Sequence, residues 1–431
     1  MYKRHQHQDE GFAAIQAAIN ALVHRMQILY PTGGGKTNTE IDAINFYFKK
    51  CEEEERFGVA VVMAPRIQLC IQHMKEHTFN PLYGVKFHPM AVHSGRKDIL
   101  PEYLVDQATE RKVVSTFHAD FASVQCATSS SEIADEYARV QKMGKHFIIF
   151  ATYHSAERLA LSGVPLDLII SDEAQYLVTN EFAKLHSVLT AKHWLFFTAT
   201  QKVTISTAGL GMNNPALFGE VIYQVEPKTL IERGIIVEPC LHILYADGIR
   251  TDGVSIATKK KSDDHDRESN FDAVKEIIQK QGKLTVGYDE KILVACKDAD
   301  EVAYLAKKFI ADPAFEDYDV FYTSSKAGNF HNKKKRTRGE FLAELNARKG
   351  KALIFHYDIL SEGIDVDGIS GVVFLRAMGI AKTLQTIGRA VRVLKHERGI
   401  AIDQRIKQKA WVSVPLVFNG GVDSEDYQSV K

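Results

Sequence analysis

Met26-Gln27-Ile28-Leu29-Tyr30 runs directly into Pro31-Thr32-Gly33-Gly34-Gly35-Lys36-Thr37, and the residues beyond carry Ile41, Ile44 and Phe48 on one helical face. A run of five that is apolar but for Gln27, a glycine-rich turn and an amphipathic stretch read as strand, loop and helix, the unit from which parallel α/β sheets are built. Consecutive glycines let the backbone curl so that successive N–H groups converge on phosphate oxygens, and the helix N-terminus adds partial positive charge. Thr32, Gly33, Gly34 and Gly35 are therefore candidates for cradling the phosphates of ATP. Lys36 would reach the β- and γ-phosphates and the Thr37 hydroxyl would ligate Mg2+. The phosphate-loop pattern G-x-x-x-x-G-K-[ST] asks for glycine at position 30, where this chain has Tyr30, so an ordinary glycine-rich turn stays open on these residues alone.

Working outward, the same alternation recurs. Strand candidates are Met26–Tyr30, Val59–Met63, His146–Ala151, Asp167–Ser171 and Trp194–Thr198, then Ile292–Cys296, Val320–Tyr322, Ala352–Phe355, Gly371–Leu375 and Trp411–Phe418. Helical periods separate them, as in Glu301–Ile310, where Val302, Leu305 and Phe309 share a face. The pattern predicts an α/β protein of two consecutive domains, 1–230 and 231–431, each a mainly parallel sheet flanked by helices. The join is expected near Val225–Pro239, where Pro227 and Pro239 interrupt regular structure. Thr258–Asn270 has no large apolar side chain and reads as an exposed loop, and Gln107–Lys145 reads as an insertion with some helix.

Composition bounds the function classes. The 431 residues are 45% hydrophobic and 25% charged, which excludes disordered and collagen-like chains. Lys plus Arg (54) balances Asp plus Glu (54), so any polyanion site must be a local patch. The scattered Cys51, Cys70, Cys126, Cys240 and Cys296 form no C-x-x-C pair, which argues against a disulfide framework or a cysteine zinc site and for a reducing, cytosol-like compartment. MYKRHQHQDE lacks the apolar core of a signal peptide and no apolar run approaches a membrane span, so no membrane partner is expected.

Two further constellations carry chemistry. The strand Asp167–Ser171 ends in Asp172-Glu173-Ala174-Gln175, adjacent carboxylates at the carboxyl end of a strand, where ligands of open α/β sheets bind. Asp172 would hold Mg2+ through water and Glu173 would orient and deprotonate an attacking water. The other reading is an acidic helix start favoured by the dipole. In Thr383–Leu394, wound at about 100° per residue, Gln385, Arg389 and Arg392 fall on one side while Leu384, Ile387, Val391 and Leu394 fall on the other. Planar, permanently charged arginines suit the charge of a transferring phosphoryl group.

Taken together and in this order, the motifs resemble superfamily 2 helicases and translocases, the DEAD/DEAH-related motors, over nearly the whole length. Gln8 in His7-Gln8-Asp9-Glu10 resembles the upstream glutamine motif that contacts adenine. Ala64-Pro65-Arg66 resembles motif Ia, and Thr152-Tyr153-His154-Ser155 a following DNA-contacting motif, which makes Arg66, Thr152 and Ser155 candidate phosphate-backbone contacts. Thr198-Ala199-Thr200 resembles the element coupling the ATP site to nucleic acid, a role shared with Gln175. Ser361-Glu362-Gly363-Ile364-Asp365 resembles motif V, with Gly363 and Asp365 at the nucleotide, and Gln385–Arg392 resembles motif VI with its arginine finger.

The resemblance implies two tandem RecA-like domains with ATP and Mg2+ bound between them and nucleic acid lying across both. DEAQ, TAT and QTIGRAVR are closer to DNA motors, such as those of type I and III restriction enzymes and of phages or viruses, than to RNA-remodelling DEAD-box proteins. DNA is thus the expected partner, with RNA as the alternative and accessory proteins or domains compatible with the pattern. The location implied is the cytoplasm, or a host's if the source is viral. A non-catalytic nucleic-acid scaffold on the same fold is a second reading, and a kinase explains neither the arginine segment nor the second domain. Lys333–Arg338, the densest basic run, reads as a solvated loop with nucleic-acid contact as its other reading.

Overall fold

The computed structural model describes residues 4–78, 80, 82–94, 125–246, 259–281, 290–324, 326, 328–357, 366–376 and 378–417. The chain divides into two compact units, Met1–Pro227 and Lys228–Lys431. The first is built on strands β1 (Arg25–Leu29), β2 (Val59–Ala64), β3 (Phe87–Val92), β4 (Gln125–Ala127), β5 (His146–Thr152), β6 (Leu166–Ser171), β7 (Ala191–Thr198) and β8 (Glu220–Gln224). They lie in the order β4-β3-β5-β2-β6-β7-β1-β8, and every pairing is parallel. Strands β2, β3 and β5 are buried along their whole length, as expected when helices cover both faces of a parallel sheet. Ile41, Ile44 and Phe48 are fully buried, so the helix Lys36–Glu53 lays the expected face on the core.

In the second unit the strands are β9 (Glu238–Ala246), β10 (Lys291–Ala295), β11 (Asp319–Ser324), β12 (Gly328–His331), β13 (Lys334–Arg336), β14 (Ala352–His356), β15 (Ile369–Phe374) and β16 (Lys409–Val417). Their order is β13-β12-β11-β14-β10-β15-β16-β9, parallel except for the hairpin pairings β11–β12 and β12–β13. Its core gathers Val302, Leu305 and Phe309 of the helix Ala299–Ala311 with strand residues such as Ile292, Val294 and Phe355.

All ten strand candidates form, and among the described residues six further strands lie where alternation is weak. Strand β3 carries His88 and Pro89 in its middle; Pro89 has no N–H to donate, and β4 pairs with β3 only from Met90 onward. Strand β4 has three residues and β8 is mostly exposed, so neither has a full apolar pattern.

Three expectations are corrected. Thr258–Asn270 is not a loop: the helix Lys259–Gln281 takes up nearly all of it, because the stretch contains no proline or glycine and runs straight into the core-facing Phe271, Val274, Ile277 and Ile278. Lys333–Arg338 is not a loop either. Asn332, in the left-handed region at φ 51°, turns the chain so that Lys334–Arg336 pair with β12, and the Arg336 guanidinium meets Glu344 at 2.7 Å. The third concerns the arginine segment, whose helix spans Ile380–Ala390 and stops two residues short of Arg392.

None of the five cysteines forms a disulfide. Among the described residues no helix is long and apolar enough to cross a membrane.

Candidate functional site

The register of the first sheet brings the motifs together. Leu29 pairs with Thr198, Ser171 with both Phe196 and Met63, and Ala64 with Thr152. The carboxyl ends of β5, β2, β6, β7 and β1 therefore form one row, and the segments that follow them emerge along the same edge. That edge is where open α/β sheets bind ligands.

The phosphate loop leaves β1 and enters the helix Lys36–Glu53 through Gly35, which caps it at φ 80°. Gly33 is also left-handed at φ 87°, a conformation that side-chain-bearing residues avoid. A Cβ on Gly35 would lie 2.4 Å from Gln8 Nε2, so the N-terminal helix Gln6–Asn20 is seated directly on the loop. Gln8 Nε2 donates to the Gly35 carbonyl at 3.2 Å, and His7 Nε2 lies 2.7 Å from the Gly34 carbonyl. Tyr30 does not fill the cradle: its hydroxyl donates to the His7 carbonyl at 3.1 Å, in space left by the missing side chain of Gly11. The departure from the glycine pattern at position 30 thus serves to pin the N-terminal helix.

Lys36, Asp172 and Glu173 converge. Lys36 Nζ lies 3.2 Å from Asp172 Oδ1 and 3.1 Å from Glu173 Oε1. Burial alone would lower the Lys36 pKa, and the two carboxylates outweigh it, holding the ammonium above the usual lysine range. Burial would likewise raise Asp172, but Lys36 and His73 hold its carboxyl well below the usual carboxylate range. His73 Nε2 contacts Asp172 Oδ2 at 3.0 Å, and Tyr153 donates to the Asp172 carbonyl at 2.6 Å. Glu173 sits in the left-handed region at φ 53°, a strain of roughly 1–2 kcal/mol that aims its carboxylate back towards Lys36 and not along the strand. Two carboxylates beside a lysine, with the Thr37 hydroxyl in the adjoining first helical turn, suit a hard divalent cation such as Mg2+ together with phosphate oxygens.

From Glu173 a hydrogen-bonded chain runs to the next strand. Gln175 Nε2 donates to Glu173 Oε2 at 2.7 Å, Thr198 Oγ1 donates to Gln175 Oε1 at 2.6 Å, and Thr200 N donates to Thr198 Oγ1 at 3.0 Å. The three sequence-predicted coupling residues are thus linked in series to one catalytic candidate, with Gln175 touching it directly. Thr198→Val, which keeps the shape and deletes the hydroxyl, is expected to cost about 1–3 kcal/mol of stability because the buried Gln175 oxygen loses its donor, read as the urea midpoint.

The nucleic-acid candidates divide. Arg66 is exposed just beyond β2. Thr152 and Ser155 are buried at 2% and 1% exposure, their hydroxyls 2.9 Å apart, so these oxygens face each other within the fold.

In the second unit Gln385 and Arg389 are buried on the helix Ile380–Ala390, whereas Leu384 is 44% exposed. The expected core face of that segment is therefore corrected: Leu384 is turned outward. Arg392 lies beyond the helix, in an antiparallel bridge with Ile236, while Val237 N donates to the Val391 carbonyl at 2.8 Å. Where the helix ends, buried Lys407 Nζ gathers three carbonyls from different segments, donating to Ala390 O at 2.5 Å, Arg392 O at 2.6 Å and Ile369 O at 2.7 Å. Lys407→Met leaves three carbonyls without this donor and is expected to destabilise the unit by about 3 kcal/mol or more, seen as a thermal midpoint lowered by roughly 6–12 °C. Gly363 and Asp365 lie outside the described residues.

Sequence reasoning missed Lys407, His73 and Tyr153 as supports. Lys407 carries no local signal, since its acceptors come from positions 369, 390 and 392. His73 and Tyr153 belong to stretches whose apolar neighbours dominate the pattern.

Residues 1–203 match the family model described as type III restriction enzyme, res subunit, and residues 269–394 match the helicase conserved C-terminal domain. No curated protein matches the sequence. Among solved structures, the ATP-dependent type ISP restriction-modification enzyme LlaBIII bound to DNA aligns at TM-score 0.69 and 17% identity, over 100% of this chain and 29% of that one. A fragment of a putative HsdR subunit of a type I restriction enzyme from Vibrio vulnificus aligns at 0.58 and 15%, over 98% of this chain and 66% of that one. Mss116p bound to ssRNA and AMP-PNP aligns at 0.52 and 13%, over 95% and 73%. The chain thus spans less than a third of the length of LlaBIII. At these identities the likeness is one of fold: each sheet with its helices matches a RecA-like domain, two in tandem.

Proposed function

Since the chain belongs to superfamily 2 of the helicases and translocases, we propose that it is a nucleic-acid-dependent ATPase that uses ATP hydrolysis to move along or unwind DNA. The observation that carries this reading is the chain Lys36–Glu173–Gln175–Thr198–Thr200, which links a candidate water-activating carboxylate to the element following β7. A purely structural phosphate-loop fold has no need of it.

In this reading Thr32, Gly33, Gly34 and Gly35 cradle the phosphates and Lys36 exchanges its carboxylate partners for phosphate oxygens. That exchange releases Glu173 to take a proton from water. Thr37 and Asp172 would hold Mg2+, which supplies charge neutralisation on the phosphates when bound. Gln8 steadies the loop and faces the base. Gly363 and Asp365, in the segment that resembles motif V, would serve the nucleotide, and Gln385, Arg389 and Arg392 would serve the transferring phosphoryl group. Loss of the γ-phosphate would remove what those arginines grip, and the proposed cycle couples that release to a shift of the bound strand. Arg66 holds the strand by its phosphates without reading bases, and Gln175, Thr198 and Thr200 transmit the state of Glu173.

The test is steady-state ATPase activity with Mg2+, alone and with single-stranded, duplex or forked DNA, or RNA. Several-fold stimulation by one DNA form is the expected result. Turnover indifferent to every polymer would refute the motor reading in favour of an uncoupled ATPase. Stimulation by RNA alone would move the substrate to RNA, as in the RNA-bound neighbour of the same fold.

A further inference from the structure

Behind the phosphate loop lies a buried group of side chains that nucleotide chemistry leaves unused. His73 and His77 stand four residues apart on the helix Ile67–Thr78, hence on one face, and Glu40 of the helix Lys36–Glu53 meets them. Glu40 Oε2 lies 3.5 Å from His73 Nδ1 and 3.8 Å from His77 Nε2, with all three donor atoms within 4.8 Å of one another. The side chains are at most 5% exposed. Both Glu40 oxygens, His73 Nδ1 and His77 Nε2 are buried without a hydrogen-bond partner. Each such atom costs about 1–3 kcal/mol if nothing satisfies it, and four converging on one point require a common partner.

A shared proton does not suffice. Protonated His73 can bridge Glu40 and Asp172, but His77 stays outside hydrogen-bond distance of Glu40. The other ring nitrogens are already occupied: His77 Nδ1 lies 2.7 Å from the Tyr83 hydroxyl and His73 Nε2 is 3.0 Å from Asp172. An imidazole held through its far nitrogen by a carboxylate or hydroxyl is the arrangement in which histidine binds a metal.

We propose that Glu40, His73 and His77 bind one structural transition-metal ion of the Zn2+ class, joined through His73 to the carboxylate of Asp172. Two imidazoles and a carboxylate suit zinc or cobalt, whereas magnesium and calcium prefer all-oxygen ligands. With metal–ligand bonds of about 2.0–2.2 Å, tetrahedral ligands stand roughly 3.4 Å apart, so the two Glu40–histidine separations already fit to within a few tenths of an ångström, and the two histidine nitrogens, within 4.8 Å of each other, close by up to about 1.4 Å on binding. Glu40 Oε1 is available as a fourth donor. The ion clamps the phosphate-loop helix to its neighbour and fixes His73 so that Nε2–H points at Asp172. The link to nucleotide binding rests on the reading of Asp172 given above; the metal site itself does not.

The test uses the tag-free full chain, stripped by a chelator and titrated with Zn2+ or Co2+ in excess Mg2+ and without ATP. One equivalent should bind, with the visible absorption of four-coordinate Co2+, and the thermal midpoint should rise by about 5–10 °C at saturation. His77→Gln and Glu40→Gln, checked for folding by circular dichroism, should lose both signals. Folded wild-type protein that binds neither ion overturns the proposal, whatever the variants do, and so does full binding by both variants. A chain that binds zinc but hydrolyses no ATP refutes the motor and keeps the site; an active ATPase that binds no zinc does the reverse.

Discussion

Glu173→Gln is expected to lower ATP turnover by roughly 10²–10⁴-fold while ATP affinity stays within a few-fold. The substitution keeps the shape and removes only the basic oxygen. The one oxygen of an amide at position 173 can still accept from Gln175 Nε2; the Lys36 contact to Glu173 is lost, but Lys36 keeps Asp172 at 3.2 Å as its anchor. The left-handed backbone at 173 is no harder for glutamine than for glutamate. Single-turnover hydrolysis measured beside equilibrium ATP binding separates the two quantities. Hydrolysis within about ten-fold of wild type would mean that another group activates water.

Arg389→Ala is expected to cost about 10³–10⁵ in turnover, with nucleic-acid affinity nearly unchanged. Arg389 is buried near the end of the helix Ile380–Ala390. Its cation also faces the negative end of that helix dipole, a contribution of only about 0.3–1 kcal/mol, so a loss of chemistry far exceeding any loss of fold marks a contact made in the transition state. Arg389→Lys keeps the charge and loses the two-pronged donor geometry, and should fall between the two. Turnover, Michaelis constant and fluorescence anisotropy of labelled DNA decide the matter together. Collapse of DNA binding with surviving hydrolysis would move Arg389 from the phosphates to the polynucleotide track.

Much of this was legible in the linear chain because the chemistry is local. A phosphate loop needs contiguous backbone N–H groups, and DEAQ needs its carboxylates on one strand end, so spacing alone exposes both. The ten strand candidates were legible for the same reason: strands buried on both faces of a parallel sheet are continuous apolar runs. Where burial is one-sided or the run is short, as in β4, β8 and the β12–β13 hairpin, no such pattern exists.

Long-range pairing governed the remainder. Helical periodicity extends through Arg392, yet the helix ends at Ala390, where Lys407, Ile236 and Val237, all distant in sequence, are partners of that backbone. Lys259–Asn270 is helical because it continues a helix whose apolar half is buried, which no property of those charged residues announces. Contiguous residues determined the α/β class, the phosphate loop and the order of the motifs. Which strand ends stand side by side, that Glu173 reaches Thr198 through Gln175, and that Glu40 meets His73 and His77 were decided by tertiary structure, since hydrogen bonds and ligand geometries are satisfied across space with no regard for separation along the chain.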